Sequence, residues 1–426
     1  MQNSKAVSKI QAVLLVLMVI VSALIGAYLI SRGNIKANII RVGVAADLGT
    51  ANGDSVMHGA ILAAEEINAE GGILGRSIEI VEEDTDEADG DMLKVRVALT
   101  KLVTSEKVDY LTGNLGPVGT SIMQDISAEH KKIFLSTGSF DNTYTLLVQD
   151  NYDKYKYFFR IGANETSAFL SLFDSVLTLR EITGFNKLGY LISATLVEQM
   201  RPSFNRLVEV DGFELVYEGA WMGDEVDFSS FFAAAEESGT EMMISFFGPN
   251  DVAIIKEWYD RKSPMVIWGI SLLSQSNEFW AITEGKCEHQ SVFVTPSIVG
   301  YPITNKTVPF RDAFINRWNE NPTFGSSATY EAIRYLLPDA INRAGTFEPE
   351  EVIKALEEID VETPGRQNFR FTSNHDLLLK DDDITGMVFQ WQANGTRVPV
   401  YPKEIMDEAG VTYTYPDWPG PWDEIR

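Results

Sequence analysis

Residues 39–81 read IIRVGVAADLGTANGDSVMHGAILAAEEINAEGGILGRSIEIV, and this stretch decides the fold. Ile39 to Ala45 is apolar apart from Arg41 and reads as a buried strand. Asp47 to Asp54 is turn-rich, with Gly49 and Gly53. From Val56 to Asn68 the apolar residues recur at helical spacing. Gly71-Gly72 stops that helix, because glycine takes the left-handed C-cap conformation without penalty. Ser77 to Val81 alternates as a strand does. Strand, helix and strand in this order form a β-α-β unit with parallel strands.

The alternation continues outward. Helices are expected over Asp91 to Ser105 and Val118 to His130, and strands over Val108 to Thr112 and Ile133 to Ser136. The pattern restarts after a strand-like link at Phe158 to Ile161. Strands then fall at Lys187 to Ile192, Phe213 to Tyr217, Glu241 to Phe247 and Met265 to Trp268. The intervening helices cover Ser167 to Arg180, Pro202 to Val210, Ser229 to Glu237 and Asp251 to Asp260. Further helices are expected at Phe310 to Asn319, Ser327 to Arg343 and Pro349 to Glu358, and a surface-wrapping tail from Tyr401. The fold class is therefore α/β, with two doubly wound parallel-sheet lobes. A chain of 426 residues also exceeds what one core usually supports. No Pro-, Gly- or Ser-rich linker separates the halves, so short crossing strands join them.

Composition narrows the function. Hydrophobic residues are 45% and charged residues 23%, which excludes wholesale disorder and a polytopic membrane protein. The net charge of -26 repels phosphate backbones, so nucleic acid is not a partner. A single cysteine, Cys287, rules out a disulfide within the chain and a cysteine-based zinc site. The leader holds Lys5, Lys9, Arg32 and Lys36 and no acid, so the acidity belongs to the body. From Ile10 to Ile30 no residue is charged, a span of about 30 Å as a helix, enough to cross a bilayer. The run is longer than a secretory h-region and no A-x-A follows it. The expectation is an uncleaved anchor over residues 1–38 with the body outside the cell. Sequons at Asn164, Asn305 and Asn394 are compatible with export.

Enzyme signatures are missing: there is no G-x-G-x-x-G, no G-x-x-x-x-G-K-[ST] and no G-x-S-x-G. Cys287 with His289, and His375-Asp376, are each too small a set to hold a metal. No catalytic residue, metal or cofactor is expected. The acidic run Glu82 to Glu87 fails the calcium-loop pattern and reads as a solvated loop. The remaining candidates are loops at the C-terminal ends of strands, where open α/β sheets bind ligands. The first lobe offers Asp47 to Gly53, Gly113 to Gly119 and Ser136 to Asp141; the second offers Ser193 to Gln199, Phe246 to Asn250 and Gly269 to Ser274. Phe140, Trp221, Phe247 and Trp268 are candidate aromatic walls.

Several segments resemble a known family. Ile40 to Val44, Gly53-Asp54, Gly59-Ala60 and the run Ala64 to Arg76 resemble the opening of the branched-chain amino-acid-type substrate-binding proteins of ABC transporters. Asp227-Phe228-Ser229, Phe371 to His375, Phe389-Gln390-Trp391 and Asn394-Gly395-Thr396 are similar to its later motifs. The resemblance implies a type I periplasmic-binding-protein fold, a Venus flytrap with three crossing strands near Arg160-Ile161, Thr295-Pro296 and Gly365 to Phe369. Lobe 1 would be residues 39–160 and 296–365, lobe 2 residues 161–295 and 366–426. It also implies a small-molecule ligand and docking on ABC permease subunits. The family's ligand contacts carry over poorly. The hydroxyl residue that holds the ligand carboxylate falls on Pro117, and the loop ending in threonine on Gly138, Ser139 and Phe140. The acid that pairs the ligand's amino group falls on Ser271, and the facing tyrosines near Asn52, Val197 and Phe247. Asp141 and Glu198 are substitute acids. The implied function is an extracytoplasmic solute-binding protein of an ABC importer, with a sensory ectodomain as the alternative.

Overall fold

The computed structural model describes residues 39–425, apart from residues 88–89, 224–226, 249, 277, 299 and 380–382. The expected span at residues 10–30 lies outside these. Among the described residues no helix is long and apolar enough to cross a membrane.

The first sheet contains β1 (Ile39–Ala46), β2 (Ser77–Asp84), β3 (Tyr110–Gly113), β4 (Phe134–Ser136) and β5 (Phe158–Arg160). Its order is β2-β1-β3-β4-β5, with every pairing parallel. The second contains β6 (Lys187–Ser193), β7 (Glu214–Trp221), β8 (Met242–Phe247), β9 (Val266–Ser271) and β10 (Ser291–Val294). A hairpin, Val361–Thr363 (β11) with Arg366–Phe369 (β12), stands apart. Strands β13 (Met387–Trp391) and β14 (Arg397–Tyr401) extend the second sheet to the order β14-β13-β10-β9-β8-β6-β7. Their two pairings are antiparallel, and the rest of that sheet is parallel. Both sheets share the order 2-1-3-4-5, so the chain builds one doubly wound unit twice. All six residues of β9 are buried, as expected of a central strand covered on both faces.

Each sheet has its own core. One core combines Ile40, Val42 and Val44 with Phe310, Phe314 and Ile333, and the other face of the same sheet packs Leu99, Leu111 and Phe134. The second lobe's core runs from Phe169 through Trp258 and Trp268 to Trp422. The chain leaves the first core after Ile161, returns by Phe310, and enters the second again by Met387. Phe369, Phe371 and Leu377 pack in the first core. Phe371 packs edge-on against Phe159 there, at 5.0 Å.

Departures from the expected elements have local causes. The helix read over Ser327 to Arg343 is interrupted by a π-helical segment at Ala332–Leu336. Pro338 stands two residues beyond it; lacking an N–H, it loosens the hydrogen-bond ladder of the turn before it. The helix expected from Pro202 starts at Val197, with the proline inside. The tail does not wrap the surface: Trp418 and Trp422 are buried, and Trp418 Nε1 donates to Ser263 O at 3.0 Å.

One buried ion pair stands at the first crossing. Arg160 ends β5 and is 1% exposed, with its Nε 3.0 Å from Asp376 Oδ1. Thr145 and Asn164 donate to the other carboxylate oxygen, Asp376 Oδ2, at 3.3 and 2.9 Å. Burial lowers the Arg160 pKa, and Asp376 opposes that shift. Neighbouring His375 stacks on Phe159 at 3.9 Å, with ring nitrogens on Phe158 O and Glu357 Oε1. His375-Asp376 therefore acts as a structural turn. Arg160→Met should lower unfolding stability by about 3–5 kcal/mol in urea titration, since it strands a buried carboxylate.

Candidate functional site

In sheets of this order ligands settle where the strand order reverses, here between β1 and β3 and between β6 and β8. At the first of these points Thr50 caps the helix Ala51–Ala69, accepting from Gly53 N at 3.1 Å. That places Asn52 in its first turn. Asn52 Nδ2 donates to Asn114 Oδ1 at 3.3 Å, and Asn114 Nδ2 to Thr137 O at 3.0 Å. Thr323 Oγ1 donates to Asn52 Oδ1 at 3.4 Å. Thr323 reaches this edge because Gly59 lets two helices touch: a Cβ there would lie 2.3 Å from Ser326 O. Gly138 is held equally tightly, since its Cβ would meet Leu115 O at 2.3 Å. Beyond it Phe140 stacks on Phe324, centroids 5.7 Å apart. The first edge is thus a neutral polar floor of paired amides beside two stacked rings.

The adjoining helix, Pro117–His130, opens on Gly116 and has no side-chain N-cap of its own. Glu87 supplies a carboxylate from the far end of the acidic run. Its two oxygens accept from Gly116 N and Gly119 N, each at 2.9 Å. A helix N-terminus is a natural anion seat, and here the chain fills it itself. The acidic run is therefore not the solvated loop expected. Asp84 accepts from Leu48 N at 3.0 Å, and Glu83 pairs with Lys101 at 2.7 Å.

On the second edge Ser271 is buried at the end of β9, and its Oγ donates to Asp251 Oδ2 at 2.7 Å. Asp251 opens the helix Asp251–Arg261 and is 0% exposed, and its Oδ1 lacks a hydrogen-bond partner among the described residues. Burial raises its pKa to about 7, against the opposing hydrogen bond from Ser271. The two edges meet one turn further on, where Gln275 Oε1 accepts from Phe324 N at 2.9 Å. Phe324 therefore touches Phe140 on one side and the second lobe on the other.

Two doubly wound sheets with facing C-terminal edges match a family model described as periplasmic binding protein, over residues 39–395. The chain belongs to that family. No curated protein matches the chain. Among solved structures, this periplasmic binding protein is similar to the branched-chain amino acid transporter substrate-binding protein of Streptococcus pneumoniae in complex with isoleucine. The identity is 19% and the TM-score 0.68, over 85% of this chain and 99% of that one. A putative branched-chain amino acid ABC transporter protein from Silicibacter pomeroyi gives 16% and 0.73, over 89% and 100%. A solute-binding protein from R. palustris in complex with benzoate gives 17% and 0.68, over 85% and 95%. At these identities the likeness is one of fold.

The sequence candidates divide in this periplasmic binding protein. Asn52, Gly138 and Phe140 lie together on the first edge, and Ser271 on the second. Ser139 and Asp141 are committed to their own turn: Ser139 Oγ accepts from Asp141 N, and Asp141 Oδ1 from Thr143 N at 2.8 Å. Pro117 contributes only its carbonyl, to Tyr144 Oη at 2.5 Å. Val197 packs against the second core, and Glu198 is an exposed partner of Arg201 at 2.8 Å. Phe247 ends β8. Trp221 and Trp268 are core residues, Trp268 Nε1 donating to Ser175 Oγ at 2.7 Å, so neither walls a ligand. Cys287 is buried, which raises its thiol pKa to about 12, and His289 bonds Thr414. Sequence reasoning named the loop that holds Asn114 and missed Asp251, Gln275, Thr323 and Phe324. Asp251 alone had a legible signal, an acid in the first turn of a predicted helix after a strand.

The raised Asp251 pKa has a pH consequence. Its carboxyl keeps its proton in the fold while the unfolded chain releases it near pH 4. Stability should therefore fall as pH rises from about 4 to about 7. Asp251→Asn should flatten that slope by an amount on the order of a few kcal/mol, measured by chemical unfolding at each pH.

Proposed function

We propose that this protein is the extracytoplasmic solute-binding component of an ABC importer. It captures an amino acid, amide or similar small polar solute between the lobes and presents it to the permease. The apolar span at residues 10–30 serves as its tether. The observation that carries this reading is the meeting of the two C-terminal sheet edges at Gln275 and Phe324, directly beside Phe140. Two lobes in contact there enclose the paired amides of Asn52 and Asn114 on one side and the Ser271–Asp251 relay on the other. Paired amides offer both donors and acceptors, which suits an uncharged polar group. Asp251 suits a cationic or donor end, since an approaching positive charge favours its ionised form.

The selectivity differs from a simple branched-chain amino acid site. The family's carboxylate-holding hydroxyl is replaced by Pro117, and Glu87 already occupies the helix N-terminus beside it. A solute carboxylate there would meet a like charge.

Thermal-shift and calorimetric titration with amino acids, amides, urea and small carboxylates is the test. A cognate solute at a hundred times its Kd should add about 2.7 kcal/mol of stability. No stabilisation by any of them, with turnover of one, would overturn the reading. Glu87→Ala should move the preference toward carboxylates by at least about tenfold, as expected for removing one facing charge.

A further inference from the structure

A cavity of about 350 Å³ is lined by neither Asn52 nor Asn114. Its walls include Arg311 and Asn321 on one side and Trp280, Asn394, Thr396 and Arg397 on the other. The two sides belong to different lobes. Arg311 lies on the helix Thr307–Trp318, whose Phe310 and Phe314 pack in the first core. Arg397 begins β14 of the second sheet.

The electrostatics of this cavity are one-sided. Arg397 Nη1 donates to Gln275 O at 2.6 Å, and its guanidinium lies 4.9 Å from the centroid of Phe389 and 5.4 Å from that of Trp391. It forms no ion pair among the described residues; burial lowers its pKa to about 9, and the nearby charge of Arg311 adds to that shift. Arg311 has Asp312 at 3.6 Å and Asn321 Oδ1 at 3.4 Å, both weak contacts for a guanidinium. Two guanidinium groups thus share a small cavity whose other walls carry two amides, a hydroxyl, Trp280 and Ile298. Such planar donor forks match the oxygens of a carboxylate or phosphate.

We propose that this cavity binds a small oxyanion, clasped between Arg311 of the first lobe and Arg397 of the second. The anion removes the repulsion between the two cations and so favours the approach of the lobes. Gln275 connects the two sites: its side chain holds Phe324 N and its carbonyl holds Arg397. Binding in the cleft and binding here are therefore linked, and by reciprocity each strengthens the other.

The test uses inorganic phosphate and malonate as probes, against sodium chloride at matched ionic strength. Calorimetry and thermal shift are run on the wild type, Arg311→Gln and Arg397→Gln. Saturable binding of phosphate, malonate or both, at least tenfold weaker in each variant, is expected. Whichever probe binds more tightly identifies free phosphate or an organic carboxylate as the natural class. Arg311 is partly exposed, so Arg311→Gln decides the matter should Arg397→Gln fail to fold. Absence of binding of both probes, or unchanged affinity in Arg311→Gln, overturns the proposal. Neither result depends on which solute the cleft takes.

Discussion

The Arg160–Asp376 pair is the constraint on which the two-lobed arrangement rests. Arg160 stands at the point where the chain leaves the first sheet, and Asp376 lies just before the chain returns to the second. Arg160 N also donates to His375 O at 3.0 Å, so backbone and side chain join the same two segments. Burying two charges is costly, and hydrophobic residues of like shape would often serve stability as well. An ion pair fixes partner and direction in a way that apolar packing does not. At a junction between two bodies that directional demand sets where each lobe begins.

From this junction the two sheet edges take up complementary chemistry. The first edge is electrically quiet. Asn52 donates to Asn114, Asn114 donates to the Thr137 carbonyl, and Glu87 is spent on a helix N-terminus. The second edge keeps an acid one layer down, behind Ser271. The large negative charge of the chain lies elsewhere, on exposed faces, and does not define the site. Two charged side chains are buried away from those faces, Asp251 in one place and Arg397 in another.

The fold was legible because its signals are local. Strand β1, the helix after it and Gly71-Gly72 can each be read from a few neighbouring residues, and together they imply a parallel sheet. The short strand β10 and the helix Thr143–Asp150 escaped, since neither has a strong period. The site was half legible. Loops at strand ends were found because topology places them there. Their partners were not, because Asn52 meets Thr323 across 271 positions of sequence and Gln275 meets Phe324 across 49. Ser271 illustrates the limit: aligned alone it is a lost acid, whereas in space Asp251 stands behind it. The packing of Phe369, Phe371 and Leu377 in the first core is likewise long-range, and no local pattern announces it.

The buried tail determines when the molecule can become whole. Strands β13 and β14 are added to the second sheet late, and Trp418 and Trp422 enter its core within the last few residues. The first lobe, by contrast, has all its core residues once the chain has passed Leu377. A chain emerging from the ribosome can therefore complete the lobe begun first while the other still lacks its aromatic plug. Trp418 and Trp422 thus act as late fasteners of the second core.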